Sequence, residues 1–246
     1  MQPRWSSGPA SITLVRHGES IGNVANDRAH DDRAEVLELD LRDADVPLSD
    51  NGRAQARALA DWLAQGGAEP PSLVVSSPYQ RAAETAQLAV GDLGVRMELD
   101  ERLRERDLGR FDGLTGRGIS ARFPEEAARR SRVGKFYYQP PGGESWADVV
   151  LRVRSFLRDL ADEAEGQRVW LFTHQAVIMA HRYVLQGLSE AEVLQAERDS
   201  PLPNASRTVF VRTGSGYRMD VFGDDEAIER AAADTTHESA KDEEHA

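Results

Sequence analysis

Two patterns in the sequence predict an α/β fold, a three-layer sandwich with a mainly parallel central sheet flanked by helices. Short apolar runs of strand length recur at residues 12–15, 73–75, 95–99 and 169–172, and segments of helical period follow the first, second and last of them. Runs without polar alternation suit strands covered on both faces, because a strand with one wet face would alternate apolar and polar residues. A third observation sets the scale: 246 residues that are 40% hydrophobic suffice to fill one such core.

Taken in order, Ile12-Thr13-Leu14-Val15 is the first strand and a helical segment follows it. Residues 31–45 carry seven acids and two arginines, which predicts a surface loop with a short helix beside the next element. Ser49 and Asp50 then supply a helix start for residues 52–63. Leu73-Val74-Val75 is the second strand, followed by a helix, and residues 95–99 are the third. A long amphipathic stripe at Trp146, Val149, Val150, Val153, Phe156, Leu157 and Leu160 predicts a helix over 144–164. Val169-Trp170-Leu171-Phe172 is the fourth strand, again followed by a helix. Residues 207–211 and 217–222 flank Thr213-Gly214-Ser215-Gly216 and read as a hairpin at the sheet edge.

Residues 1–10 are polar and read as a flexible N-terminus, 11–223 as one domain. Residues 224–246 hold nine acids against Arg230 and Lys241, the composition of a disordered acidic tail. Neither an apolar signal segment nor a run long enough to span a membrane is visible, so a soluble, cytoplasmic protein is expected. The formal charge of −12 opposes binding to nucleic acid or an anionic membrane, so a phosphorylated ligand must meet a local basic cluster. The chain has no cysteine, which excludes disulfides, thiolate metal sites and a cysteine nucleophile. Its six histidines form no H-E-x-x-H, and no Walker A loop or G-x-G-x-x-G is present, so neither metal nor nucleotide cofactor is expected. Oligomeric state is not legible.

In open parallel sheets ligands bind beyond the carboxyl ends of the strands. Here those ends read Arg16-His17-Gly18, Ser76-Ser77-Pro78 with Arg81 one turn into the next helix, and Thr173-His174-Gln175. Two guanidiniums and two imidazoles at one sheet edge, with helix N-termini behind them, make a pocket for a phosphoryl group. A neutral imidazole is a nucleophile towards phosphorus, and a small phosphorylated molecule is the expected partner.

Arg16-His17-Gly18-Glu19-Ser20 with Asn23 resembles the signature of the histidine phosphatase superfamily, which includes the cofactor-dependent phosphoglycerate mutases. Ser76-Ser77-Pro78 with Arg81 and Glu84-Thr85-Ala86, Leu103-Arg104-Glu105-Arg106 and Thr173-His174 match its further motifs in order. The resemblance implies a phosphoglycerate mutase-like fold and a phosphomonoesterase that works without metal through a phosphohistidine. It also implies that His17 is the nucleophile, that Arg16, Arg81 and His174 bind the phosphoryl group, and that Glu105 protonates the leaving oxygen. That last role requires Arg102, Arg104, Arg106 and Arg110 to pair elsewhere or face away, since nearby cations lower a carboxyl pKa. Asn23 would donate to a phosphate oxygen.

A finer likeness, to the fructose-2,6-bisphosphatase branch, rests on residues 103–114, Lys135, Pro141-Gly142-Gly143-Glu144-Ser145 and His174-Gln175-Ala176-Val177. It implies that Gln175 and Lys135 touch a sugar phosphate. The chain departs from that branch at Ser131 and Met179, where arginines would stand, and at Trp146, in place of a tyrosine. Phosphoglycerate mutase is the alternative activity, and a fold that has lost catalysis to become a binding module is another. A serine esterase is a remote third: Gly18-Glu19-Ser20-Ile21-Gly22 satisfies G-x-S-x-G, with Ser20 as nucleophile and His174 as base, although that elbow normally follows several strands.

Overall fold

The computed structural model describes residues 7–214, 216–231 and 233–237. In chain order the elements are β1 (Ser11–Arg16), α1 (Ile21–Asp31), α2 (Asp50–Ala64), β2 (Leu73–Ser76), α3 (Gln80–Val90), β3 (Met97–Leu99), α4 (Gly116–Arg122) and α5 (Pro124–Val133). They continue with α6 (Trp146–Glu163), β4 (Arg168–Thr173), α7 (Gln175–Gln186), α8 (Glu190–Asp199), β5 (Arg207–Thr213), β6 (Gly216–Asp224) and α9 (Glu226–Arg230). The strands form a single sheet in the order β3-β2-β4-β1-β5-β6. Pairings among β1, β2, β3 and β4 are parallel, while β5 runs antiparallel to β1 and β6.

Alternation along the buried strands divides the core into two. Ile12, Leu14, Val75, Val169 and Leu171 face one layer, built on α6, α7 and α8. Val15, Val74, Trp170 and Phe172 face the other, built on α2, α3 and α9. The stripe expected on α6 is buried at all seven positions. Each such side chain contributes about 1.5–3 kcal/mol of transfer free energy before the entropic cost of ordering it. These helices pin the parallel strands from both sides and leave only the strand ends open.

The structure departs from the sequence expectation at two places, the third strand and the tail boundary. The third strand is shortened to Met97–Leu99, because it lies at the sheet edge with Met97 and Leu99 facing solvent. Residues 32–45 are, as expected, a surface loop with a short helix, the 3-10 turn Asp43–Asp45, and the loop is zipped to the chain at 113–115. The tail boundary expected at 224 moves to the far side of α9: Ala227 and Ile228 enter the core, and 233–237 lies against α2. Only two apolar residues were needed to anchor a short helix in an otherwise acidic stretch. Residues 238–246 and the first six residues of the expected flexible N-terminus lie outside the described residues. Among the described residues no helix is long and apolar enough to cross a membrane.

Candidate active site

β1, β4 and β2 are neighbours, and their register fixes the site. Arg16 stands opposite Thr173, and Ser76 opposite Phe172. The next residues continue the ladder, with His17 N–H donating to the Thr173 carbonyl (2.9 Å) and Ser77 N–H to that of Phe172 (2.9 Å). His17, Ser77 and His174 therefore emerge side by side. The two imidazoles lie 5.1 Å apart between ring centroids, His174 is hydrogen-bonded through Nε2 to Ser77 Oγ (2.9 Å), and Tyr79 stands edge-on to His174. Both rings are buried. Burial first, then the guanidiniums of Arg81 and Arg16, hold the His17 pKa well below the ordinary imidazole range. Burial first, then Arg81, does the same to His174. Both rings are accordingly neutral at pH 7.

His17 Nδ1 donates to the Gly18 carbonyl (2.8 Å), so the proton resides on Nδ1 and Nε2 keeps its lone pair. Gly18 is required here by close approach: a Cβ on it would meet the Gly52 carbonyl oxygen at 2.6 Å. Its N–H is taken by Thr85 Oγ1 (3.0 Å), whose own hydroxyl donates to the Arg81 carbonyl. The loop carrying His17, α2 and α3 are thereby locked together.

Arg16 is fully buried and donates to the Leu202 carbonyl. Arg81, also buried, is gripped from the acidic loop: Nη1 donates to the Asp43 carbonyl (2.6 Å) and to Oδ1 (2.8 Å), and Nη2 to Oδ2 (3.3 Å). Asp43 occupies the end of the guanidinium and leaves the side bearing Nε open to a bidentate acceptor. Helix starts add donors. Serines cap α1, α2, α6 and α8, whereas α3 and α7, which begin beside Arg81 and His174, have no side-chain cap and no acid in the first turn.

Glu105 is carried at the same sheet edge by the chain after β3, which Thr173 Oγ1 fastens by donating to the Leu103 carbonyl (2.7 Å). Arg152 of α6 fastens it again through the carbonyls of Arg102 (2.6 Å) and Glu105 (3.2 Å). Three of the four arginines crowding Glu105 in sequence are engaged elsewhere: Arg102 with Asp100 and Asp159, Arg104 with Glu144, and Arg110 over the Phe123 ring. Glu105 Oε1 accepts from Arg106 N–H (2.7 Å).

Asn23 is the third residue of α1. Its side-chain oxygen closes a capping box on Ser20, so its NH2 is not used by the cap. Asn204 ties it to the site, donating to the His17 carbonyl (3.2 Å) and to Asn23 Oδ1 (3.5 Å). Gln175 opens α7 directly after His174, and its Oε1 is buried with no hydrogen-bond partner among the described residues. Lys135 is ion-paired with Glu197 of α8 (2.8 Å). Ser20 is spent on the cap, its hydroxyl donating to Asn23 Oδ1 rather than to an imidazole. Among the described residues no group of three or more His, Asp or Glu is arranged to hold a metal ion.

Sequence reasoning missed Asp43, Gln55, Asn204 and Arg152. Asp43 is one acid among seven in its loop, and the others are ordinary residues of helices and loops, so only tertiary contact reveals them.

A family model described as the histidine phosphatase superfamily (branch 1) matches residues 12–225. The chain belongs to that superfamily. It is 32% identical over 204 residues to the 2,3-bisphosphoglycerate-dependent phosphoglycerate mutase 2 of Gloeobacter violaceus, covering 80% of this chain and 84% of the relative. Over 171 residues it is 35% identical to the 6-phosphofructo-2-kinase/fructose-2,6-bisphosphatase of Caenorhabditis elegans, covering 69% of this chain but spanning only 33% of that relative. Among solved structures, the mycobacterial glucosyl-3-phosphoglycerate phosphatase in complex with inorganic phosphate superposes with a TM-score of 0.68 at 30% identity, covering 87% of this chain and 97% of the other.

Proposed function

We propose that this histidine phosphatase is a phosphomonoesterase acting on a small phosphorylated metabolite, a sugar phosphate, through a phosphohistidine and without a metal ion. The observation that carries the reading is the pair of buried, neutral imidazoles, 5.1 Å apart and flanked by two buried guanidiniums, at the ends of adjacent parallel strands.

His17 Nε2 attacks phosphorus, the N–P bond forms and the P–O bond to the alcohol breaks. Glu105, protonated at that moment, gives its proton to the departing alkoxide. Arg16, the Nε side of Arg81, His174 and the free N–H groups of α3 and α7 receive the charge spread over the equatorial oxygens. Glu105, now a carboxylate, then takes a proton from water, whose oxygen attacks phosphorus. The P–N bond breaks, inorganic phosphate leaves and His17 is restored. Asn23 donates to a phosphoryl oxygen. Gln175 Oε1, a buried acceptor without a donor, takes a substrate hydroxyl, and Lys135 serves the sugar end while braced by Glu197. A sugar phosphate is supported by the name of the mycobacterial relative, and a cytoplasmic setting belongs to the same reading.

Phosphoglycerate mutase is the second reading, favoured by the match along most of the Gloeobacter enzyme. In a mutase the phosphohistidine must persist while the product turns; in a phosphatase water reaches it. Phosphate release from p-nitrophenyl phosphate and a panel of sugar phosphates, with and without EDTA, separates them when run beside a phosphoglycerate interconversion assay. Release that survives EDTA and vanishes in His17→Ala supports the proposal. Interconversion without net release replaces it with the mutase.

A further inference from the structure

Gln55, completely buried in α2, takes no part in the chemistry above, yet it holds the loop that carries the nucleophile. Its Oε1 accepts from Glu19 N–H (2.8 Å), and its Nε2 donates to the Asp234 carbonyl (2.7 Å) and to Thr236 Oγ1 (3.1 Å). Reversing the carboxamide would set NH2 against N–H on one side and oxygen against carbonyl on the other, so the Glu19 N–H and the Asp234 carbonyl demand one orientation. Thr236 extends the clasp, with its hydroxyl donating to Asn204 Oδ1 (3.1 Å) and its carbonyl accepting from Asn204 N–H (2.8 Å). Asn204 in turn donates to the His17 carbonyl (3.2 Å). The C-terminal segment at 234–236 therefore reaches both sides of Gly18.

The link to chemistry is the peptide between Gly18 and Glu19. A trans peptide is planar, so its N–H and C=O point in opposite directions and fixing one fixes the other. Gln55 fixes the Glu19 N–H, and the opposite Gly18 carbonyl is the one that accepts from His17 Nδ1. That acceptor keeps the imidazole proton on Nδ1 and presents Nε2.

We propose that Gln55, locked in orientation by Asp234 and Thr236, is a positioning residue that determines which nitrogen of His17 is phosphorylated. The proposal rests on the phosphohistidine reading. Without the clasp the Gly18–Glu19 peptide can turn, the Nδ1 bond is lost, and the ring can offer either nitrogen.

The test uses the full chain, rapid mixing with a phosphomonoester, alkaline quenching and discrimination of the two phosphohistidine isomers by 31P NMR. The wild type is expected to carry phosphate on Nε2 of His17 alone. Gln55→Leu is expected to slow phosphoenzyme formation roughly tenfold, the scale of one unmade buried hydrogen bond, with KM nearly constant and the Nδ1 isomer present. Thr236→Val should do the same more mildly, and Thr236→Ser, which keeps the hydroxyl, should restore the rate. A folded Gln55→Leu that forms only the Nε2 isomer at the wild-type rate overturns the proposal. Should Gln55→Leu fail to fold, an unchanged rate and isomer in Thr236→Val overturns it instead. A wild type that forms no phosphohistidine at all defeats the reading beneath it.

Discussion

At the scale of single residues, charge is what the pocket controls. Arg81 is buried in a chain of net charge −12, and its resident counter-ion comes from the loop that carries much of that excess. Asp43 answers a guanidinium that would otherwise be costly to bury, and it also opposes any anion arriving beside it. Asp43→Asn should therefore tighten competitive inhibition by inorganic phosphate roughly tenfold while lowering the melting temperature; inhibition kinetics and a thermal melt check both. The residues whose types are chemically unusual at or just beyond a strand end, Arg16, His17 and His174 with Arg81 at the start of the next helix, were legible from the sequence. Asp43, Gln55 and Asn204 were not, because each acts across 36 or more residues through contacts that exist only once the sheet is built. Lys135 was named through a resemblance alone, as a contact to a sugar phosphate, and the fold gives it a carboxylate from α8.

Among the elements, the tight seam between the loop carrying His17 and α2 matters most. A Cβ on Gly52 would fall 1.9 Å from the Glu19 carbonyl oxygen, which is backbone and cannot swing aside. Gly52→Ala is expected to push α2 off the loop, costing about 2 kcal/mol or more and most of the phosphatase activity; denaturant unfolding and kcat report the two losses. The serine cap of α2 and the apolar stripe of α6 were readable because their causes are local in sequence. The short β3 and the anchored α9 were not. An edge strand needs only three residues to pair, and α9 depends on two side chains finding a gap in the α2–α3 layer.

For the molecule as a whole, three buried imidazoles link stability to pH. His181, packed against Phe156 in the α6–α7 core, has a pKa lowered by burial to about 4. An unfolded chain takes up that proton near pH 6.5, so the stabilisation is fully present above 6.5 and is lost as pH falls towards 4. His181 alone accounts for about 3 kcal/mol of loss by pH 4, with His17 and His174 acting in the same direction. His181→Leu should match the wild type at pH 7 and exceed its stability at pH 5 by urea unfolding. The fold class was legible because alternating strands and helices leave few arrangements for a chain of this length. The edge that gathers the two imidazoles and two guanidiniums followed from the rule that strand ends carry ligands, and the acidic surroundings say only that attraction must be local.

The central claim is that His17 becomes phosphorylated. The direct measurement is to mix the protein with a 32P-labelled phosphomonoester, quench within milliseconds in base, digest, and locate the label. The expected result is one labelled peptide containing His17, stable in base, labile in acid, absent from His17→Ala and unaffected by EDTA. Label on Ser20, or label that forms only with added metal, would contradict it.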